Sequence, residues 1–316
     1  MDTLIQITVI SEDEEKGAKA LEKAFAEYER IHSITDRFQK DGQTIAASND
    51  VVAINENAGT KPVTVSVDTI NMIERSNYFA GSTGGAFDVT IGPVMDLWGF
   101  GESEQHVPAD EEINRALSLV DYNKVKVDPD NMTAFLSKPG MSLDLGGVAK
   151  GYATDEAVKA LRAMGIQHAM INAGGNVYAL GAKPDGSPWR VGVQDPRGEK
   201  GIIAILSVKD KAVVTSGDYQ RYFEQEGVRY HHIVAPSTGK QARDVMQATV
   251  VAASATDADI LSTTLFVLGS KSGMSFVQEL PATGAIFVGA DKQVSYTDNL
   301  TDQLKFTGEG DYKTAK

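Results

Sequence analysis

No cysteine occurs anywhere in the 316 residues, which excludes disulfides, thiolate nucleophiles and Cys-type zinc sites and leaves the redox compartment open. Positive charge is also in short supply: 30 Lys+Arg stand against 43 Asp+Glu, a formal net charge of -13. A nucleic-acid binder needs Lys/Arg stripes to displace counterions from phosphates, and none is visible. A polyanionic ligand would then need local help from a metal ion or a lysine. Apolar runs are short, and none approaches the ~20 residues needed to span a bilayer. The N-terminus lacks the basic, apolar and small-residue succession of a signal peptide, since Met1-Asp2-Thr3 leads straight into Leu4 to Val9, which alternates like a strand. The chain as given is expected to be soluble, any targeting segment having been removed. Low-complexity and Pro-rich linkers are missing too, and with 42% hydrophobic and 23% charged residues the chain reads as one folded domain over 1–316.

What is present reads as an α+β protein. Ser11 with Glu14 has the form of a capping box, and Leu21, Ala24, Phe25, Tyr28 and Ile31 follow at helical spacing, which predicts a helix over about 12–34. A strand at 62–67 precedes a helix with Ile70, Ile73 and Tyr78 on its apolar face. The turn Gly81-Ser82-Thr83-Gly84-Gly85 permits positive φ and close approach to a ligand, although alone it is a connection. Asp110-Glu111-Glu112 opens a short helix, and 124–127 with 132–136 form a hairpin around Asp128-Pro129-Asp130-Asn131. Ser142 to Tyr152 reads as strand, glycine turn and helix. Short strands at 169–172, 177–180, 189–193, 202–208 and 211–215 are spaced for antiparallel sheet. A strand at 248–253 and a helix over 257–268, ended by Gly269, lead to a second helix and a final hairpin. The fold class expected is a single large mixed domain with antiparallel sheets packed against helices.

Three segments carry chemistry. Gly146-Gly147-Val148-Ala149-Lys150-Gly151 at a helix N-terminus offers backbone amides, the positive end of a dipole and a lysine, the combination that holds phosphates. It has neither Walker A nor G-x-G-x-x-G spacing, and a plain tight turn stays open beside the phosphate cradle. Asp259 and Thr263 lie four apart and share one helix face. A carboxylate with a hydroxyl and main-chain oxygens suits Mg²⁺, while an Asp that merely caps or solvates the helix start is the plainer reading. His231-His232 end a strand and face opposite ways, so at most one enters a given site; His232 can serve as general base or be structural. Thr215 to Tyr219 invites a serine hydrolase built on Ser216 and His232, but it lacks the G-x-S-x-G elbow and reads as a turn.

Taken in order, several segments resemble the ApbE family, the FAD:protein FMN transferases, from Met1 to about Phe306. They are Met1-Asp2-Thr3, Gly85-Ala86-Phe87-Asp88-Val89-Thr90 with Leu97-Trp98-Gly99, and Ser142 to Tyr152. After these come Asn172-Ala173-Gly174-Gly175-Asn176, Val214 to Tyr219, His232 to Gly239 and Ala258 to Gly269. The resemblance implies a T-fold-like architecture in which Met1, Ala86, Phe87, Asp88, Asp144 and Lys150 contact FAD and the Gly174-Gly175 turn lines the cleft. It implies that Ile233 packs on the flavin nucleotide beside His232, and that Asp259, Thr263 and the main-chain oxygen of Gly147 hold Mg²⁺. The implied reaction is Mg-dependent transfer of the FMN half of FAD, through its phosphate, to a Thr or Ser hydroxyl of an acceptor flavoprotein, with AMP leaving and His232 and Asp259 as catalytic residues. Acceptors in the family are subunits of membrane electron-transport complexes and extracytoplasmic flavoproteins, so a periplasmic or membrane-anchored location is expected. Two residues depart from the pattern: Asp2 stands where the family usually has Gly, and Ala235 where it has Asp. The rival readings are an FAD pyrophosphatase, with water as acceptor, and a non-catalytic FAD-binding protein.

Overall fold

The computed structural model describes residues 3–38, 49–100, 104–198, 201–308 and 311–314. Met1 and Asp2, one named as a flavin contact and the other as a departure, lie outside them. In chain order the elements are β1 (Ile5–Ile10), α1 (Glu14–Thr35), α2 (Asp50–Glu56), β2 (Val63–Thr64), α3 (Val67–Ser82), α4 (Gly92–Trp98), α5 (Asp110–Leu117), β3 (Val125–Asp128), β4 (Thr133–Leu136) and α6 (Ala149–Ala163). There follow β5 (His168–Ala173), β6 (Asn176–Leu180), β7 (Trp189–Gln194), β8 (Ile202–Val208), β9 (Lys211–Gly217), β10 (Tyr222–Gln225), β11 (Val228–His231), β12 (Val234–Ala235), β13 (Lys240–Gln241) and β14 (Val245–Ala252). The chain closes with α7 (Ala255–Gln278), β15 (Gly284–Gly289), β16 (Gln293–Tyr296), β17 (Leu304–Phe306) and β18 (Lys313–Thr314). Mixed helices and sheets, antiparallel except for the β16–β18 pair, agree with the expected class.

Contacts divide the chain into two compact units, one of Arg30–Ala149 with Arg221–Ala242, the other of Asp2–Glu29, Lys150–Gln220 and Arg243–Lys316. In the first, β2, β4 and β3 form a three-stranded sheet, and β10–β11 and β12–β13 are separate hairpins. Two strands alone are marginal in water. The β10–β11 pair is anchored by Phe223 and Tyr230, whose rings stack at 5.3 Å and lie against Trp98. Trp98 is 2% exposed and its Nε1 donates to the Gly239 carbonyl at 2.8 Å, tying the loop after β12 to α4. The predicted strand at 62–67 shrinks to two residues because Ser66 leaves it to cap α3, its Oγ accepting from Thr69 N at 3.3 Å. On α3, Phe79 is buried and Tyr78, placed by spacing on the apolar face, is 55% exposed.

The second unit is built on an eight-stranded sheet of order β1-β5-β6-β9-β14-β15-β16-β18. All eight residues of β14 are buried, which requires cover on both faces. On one side α7 packs along β9, β14 and β15. On the other lies the sheet β17-β8-β7, whose Trp189, Val191, Leu206 and Val208 join Val213, Val251, Ile286 and Val288 in a core. The strands predicted between 169 and 215 all form, since each is a short apolar run bounded by turn residues.

Several boundaries move. In α1 the first turn is held by Asp13, whose Oδ1 accepts from Lys16 N at 3.0 Å, while Ser11 serves the preceding turn. The buried stripe there is Ala20, Ala24, Tyr28, Ile31 and Ile34, and Phe25 is outside it. The strand expected at 142–145 is reduced to one bridge, Ile91 with Ser142. Its next peptide is satisfied by a side chain instead: Leu143 N–H donates to Asn55 Oδ1 at 2.7 Å and Asn55 Nδ2 donates to the Leu143 carbonyl at 3.2 Å. Thr215 to Gly217 complete β9 where a turn was expected. Gly269 does end a helical segment, at φ 75 and ψ 177, but the next begins at once. The resulting 24-residue α7 is long and apolar enough to cross a bilayer, in contrast to the short runs read from sequence; here it covers a sheet.

Candidate active site

In the second unit the site begins with a glycine that lets two helices touch. A β-carbon at Gly151 would lie 2.3 Å from the Ala255 carbonyl oxygen and 2.7 Å from Asp259 Cβ, so α6 and α7 approach as only glycine allows. The approach is locked by Asp155 of α6, which accepts from Ala255 N at 2.8 Å and Thr256 N at 2.9 Å in the first turn of α7. Its consequence is a direct bond: Gly151 N–H donates to Asp259 Oδ2 at 2.9 Å. The other oxygen, Oδ1, accepts from Asn176 Nδ2 at 2.8 Å and faces Lys150 Nζ at 3.5 Å. Asp259 is 4% exposed, and a carboxylate removed from water to that degree requires such partners.

One turn on, hydroxyls gather. Ser262 Oγ donates to the Asp259 carbonyl at 2.9 Å, and Ser216 Oγ of β9 lies 2.9 Å from Ser262 Oγ and 3.3 Å from Thr263 Oγ1. Because Ser262 has one proton, Ser216 is the donor to it and Thr263 the donor to Ser216, which leaves the Thr263 oxygen as an acceptor. Among the described residues Ser216 bonds only to hydroxyls, so nothing activates it as a hydrolase nucleophile. The turn between β5 and β6 is glycine by necessity: Gly174 and Gly175 have φ 61 and 95, and a β-carbon on Gly174 would lie 1.9 Å from Thr3 Oγ1. Both glycines are exposed.

In the first unit, Asp144 is fixed from two sides. Arg37 Nε donates to its Oδ2 at 3.0 Å and Gly146 N–H to its Oδ1 at 2.8 Å. The Arg37 guanidinium also grips Asp96 at 2.6 and 3.1 Å. Burial opposes its charge, but Asp144 and Asp96 outweigh burial and raise its pKa. Gly147 is half-buried in the turn that leads to α6. Ala86, Phe87 and Asp88 are all buried, Asp88 with its carboxylate turned inward to Thr90 N, Thr90 Oγ1 and Tyr122 N at 2.8, 2.6 and 2.9 Å. Burial pushes its pKa up against the pull of those bonds.

The two histidines part at the end of β11. His231 is 3% exposed, and its ring meets the Ala242 carbonyl through Nε2 at 2.9 Å and accepts from Ile233 N at Nδ1 at 3.3 Å. His232 is half-buried, edge-on to Phe100, with Nδ1 3.2 Å from the Arg221 carbonyl. A carbonyl only accepts, so Nδ1 carries the proton and Nε2 is the basic nitrogen. Ile233 is buried beside them.

Of the predicted residues, Lys150 therefore meets the buried Asp259 carboxylate and Thr263 lies one helical turn further along α7 beside Ser216, while Asp144, Gly147, His232 and Ile233 occupy the first unit. Sequence reasoning missed Asn176, Arg37 and Asp155. Only Asn176 left a signal, as the polar residue that follows two adjoining glycines. The donor set at Asp259 is carboxylate and neutral oxygen, which fits Mg²⁺ better than a softer ion. Among the described residues no group of three or more His, Cys, Asp or Glu side chains is placed to hold a metal, so neutral oxygens would have to complete the shell.

The ApbE family matches residues 1–287. The chain belongs to the ApbE family. An FAD:protein FMN transferase of Treponema pallidum is 36% identical over 294 residues, 87% of this chain and 81% of the relative. One from Klebsiella pneumoniae is 34% identical over 267 residues, 84% of this chain and 83% of the relative. The crystal structure of the ApbE protein of Thermotoga maritima superposes with a TM-score of 0.84 at 36% identity, covering 94% of each chain. The flavin transferase ApbE of Vibrio cholerae gives 0.79 at 29% identity over 96% of this chain and 93% of its own. Like them, this ApbE-family chain combines antiparallel sheet with packed helices.

Proposed function

We propose that this chain is an FAD:protein FMN transferase that moves the FMN half of FAD onto a Thr or Ser hydroxyl of an acceptor protein and releases AMP. The observation that carries the reading is the buried Asp259 carboxylate between the Gly151 amide and the Lys150 ammonium at the start of α6. A helix N-terminus with a lysine suits a pyrophosphate, and an oxygen donor set suits the cation that accompanies one. The relatives' activity agrees with it.

On this reading Lys150 binds a phosphate oxygen and holds the FMN phosphorus for in-line attack. The acceptor oxygen forms the new P–O bond as the bond from that phosphorus to the bridging oxygen breaks, and AMP departs with the bridging oxygen. The acceptor's hydroxyl proton passes to His232 Nε2, whose opposite nitrogen is tethered to Arg221. Asp259 and Thr263 would hold Mg²⁺, with neutral oxygens completing the shell. When bound, Mg²⁺ supplies positive charge against the phosphates. Asp144, pinned by Arg37, offers a fixed acceptor to the cofactor. The acceptor on this reading is a subunit of a membrane electron-transport complex or an extracytoplasmic reductase, and an extracytoplasmic location for the enzyme agrees with it. The test supplies FAD, Mg²⁺ and such an acceptor and looks for the FMN mass increment on it. Equal FMN and AMP in solution with the acceptor unmodified would make the enzyme a pyrophosphatase.

A further inference from the structure

Asn176 is 4% exposed and opens β6 immediately after the Gly174-Gly175 turn. The turn does not need its side chain. Gly174 N–H is satisfied by the Leu4 carbonyl at 3.1 Å and Gly175 N–H by Asn172 Oδ1 at 2.9 Å. The Asn176 amide instead crosses to α7 and donates through Nδ2 to Asp259 Oδ1 at 2.8 Å. A carboxylate only accepts, so the amide nitrogen is the atom that faces it.

Two donors on two different oxygens, Asn176 Nδ2 on Oδ1 and Gly151 N on Oδ2, fix the plane of the Asp259 carboxylate. One of them is main chain and cannot be changed by a side-chain substitution. The other is Asn176. We propose that Asn176 is a positioning residue that orients Asp259 for a divalent cation, so that the β5–β6 turn sets metal affinity without touching the metal. The proposal rests on the reading of Asp259 as a metal ligand. Partners of this kind, which hold a ligand in place from behind, typically change metal affinity by about 10–100-fold when removed.

The experiment measures Mn²⁺ and Mg²⁺ binding to the purified full chain without FAD, by calorimetry and Mn²⁺ electron paramagnetic resonance, for wild type, Asn176→Leu and Asn176→Ala. Leucine keeps the volume and alanine removes it, and both delete the donor. Both variants are expected to bind Mn²⁺ about 10–100-fold more weakly than wild type, with FAD affinity in metal-free buffer little changed. Variants that fold and bind Mn²⁺ as wild type does overturn the proposal alone and leave Asp259 as a ligand. Wild type that binds no Mn²⁺ overturns the metal reading and the proposal with it. Failure of both variants to fold assigns Asn176 to the scaffold and also overturns it.

Discussion

At the scale of single residues, the two histidines separate structural from chemical roles. His231 satisfies a buried main-chain amide and a carbonyl at 3.3 and 2.9 Å, so His231→Ala leaves Ile233 N and Ala242 O without partners at a cost of about 1–3 kcal/mol. Its effect should appear in the thermal midpoint, with the rate per folded molecule near wild type. His232→Ala should slow transfer by about 10²–10⁴-fold while FAD affinity changes little. Single-turnover rates measured beside FAD binding check this, the variant being expected to lose rate and keep affinity. Ala235 supplies no carboxylate to the ring, and the Arg221 carbonyl at 3.2 Å holds Nδ1 instead. If both variants turn over normally, histidine is not the base. Asp259 gives a second residue-scale expectation. Asp259→Asn keeps the shape and discards the charge, so it should lose magnesium stimulation almost as fully as Asp259→Ala. A magnesium titration in which either variant reaches wild-type activity would remove Asp259 from the site.

At the scale of elements, the pairing of α6 with α7 builds the site around Asp259 within the second unit, and it depends on Gly151. In Gly151→Ala the new β-carbon meets main chain at 2.3 Å, which has no soft neighbour to move. Helix separation should cost about 1–3 kcal/mol and lengthen the Gly151 N to Asp259 bond, so the variant should lose both thermal stability and metal affinity. A variant with wild-type values of both would mean that the helices have slack there. This contact explains what was readable in the sequence. Strands β5 to β9 were legible because short apolar runs and the turn residues between them are local. Lys150, Asp259 and Thr263 were legible as types suited to phosphate and hard-cation chemistry on one helix turn or another. The Asn176 bond to Asp259 joins residues 83 apart and the Asn55 clamp on Leu143 joins residues 88 apart. Neither leaves a periodicity, so one role was missed and one strand overcalled. Ser216 was taken into a turn for the same reason, since its strand partner Ala248 comes from the non-local β14.

At the scale of the whole molecule, a chain of net charge -13 binds a polyanion only where positive charge is concentrated, which is why the account rests on one lysine, one helix terminus and a divalent cation. Elsewhere the same acidity is managed by local donors. Asp195 accepts from Tyr312 and from Arg197 N at 2.8 Å. Burial works to raise its pKa, but the Tyr312 bond and the main-chain amides outweigh burial and lower it from the ordinary 3.8. A carboxylate with a lowered folded-state pKa contributes stability above its unfolded value and loses it as pH falls through the folded value. Asp195→Asn should therefore be less stable than wild type at neutral pH, with the gap closing below 3.8. Urea midpoints measured down that range check it, and a gap that widens with acidification would contradict the assignment. Intact-protein mass spectrometry of an acceptor flavoprotein incubated with this chain, FAD and Mg²⁺ decides whether the chain transfers FMN. One FMN increment on an acceptor Thr or Ser and an equal amount of free AMP are expected, with neither product formed by the Asp259→Ala variant; an unmodified acceptor beside intact FAD would show that the chain is no FMN transferase.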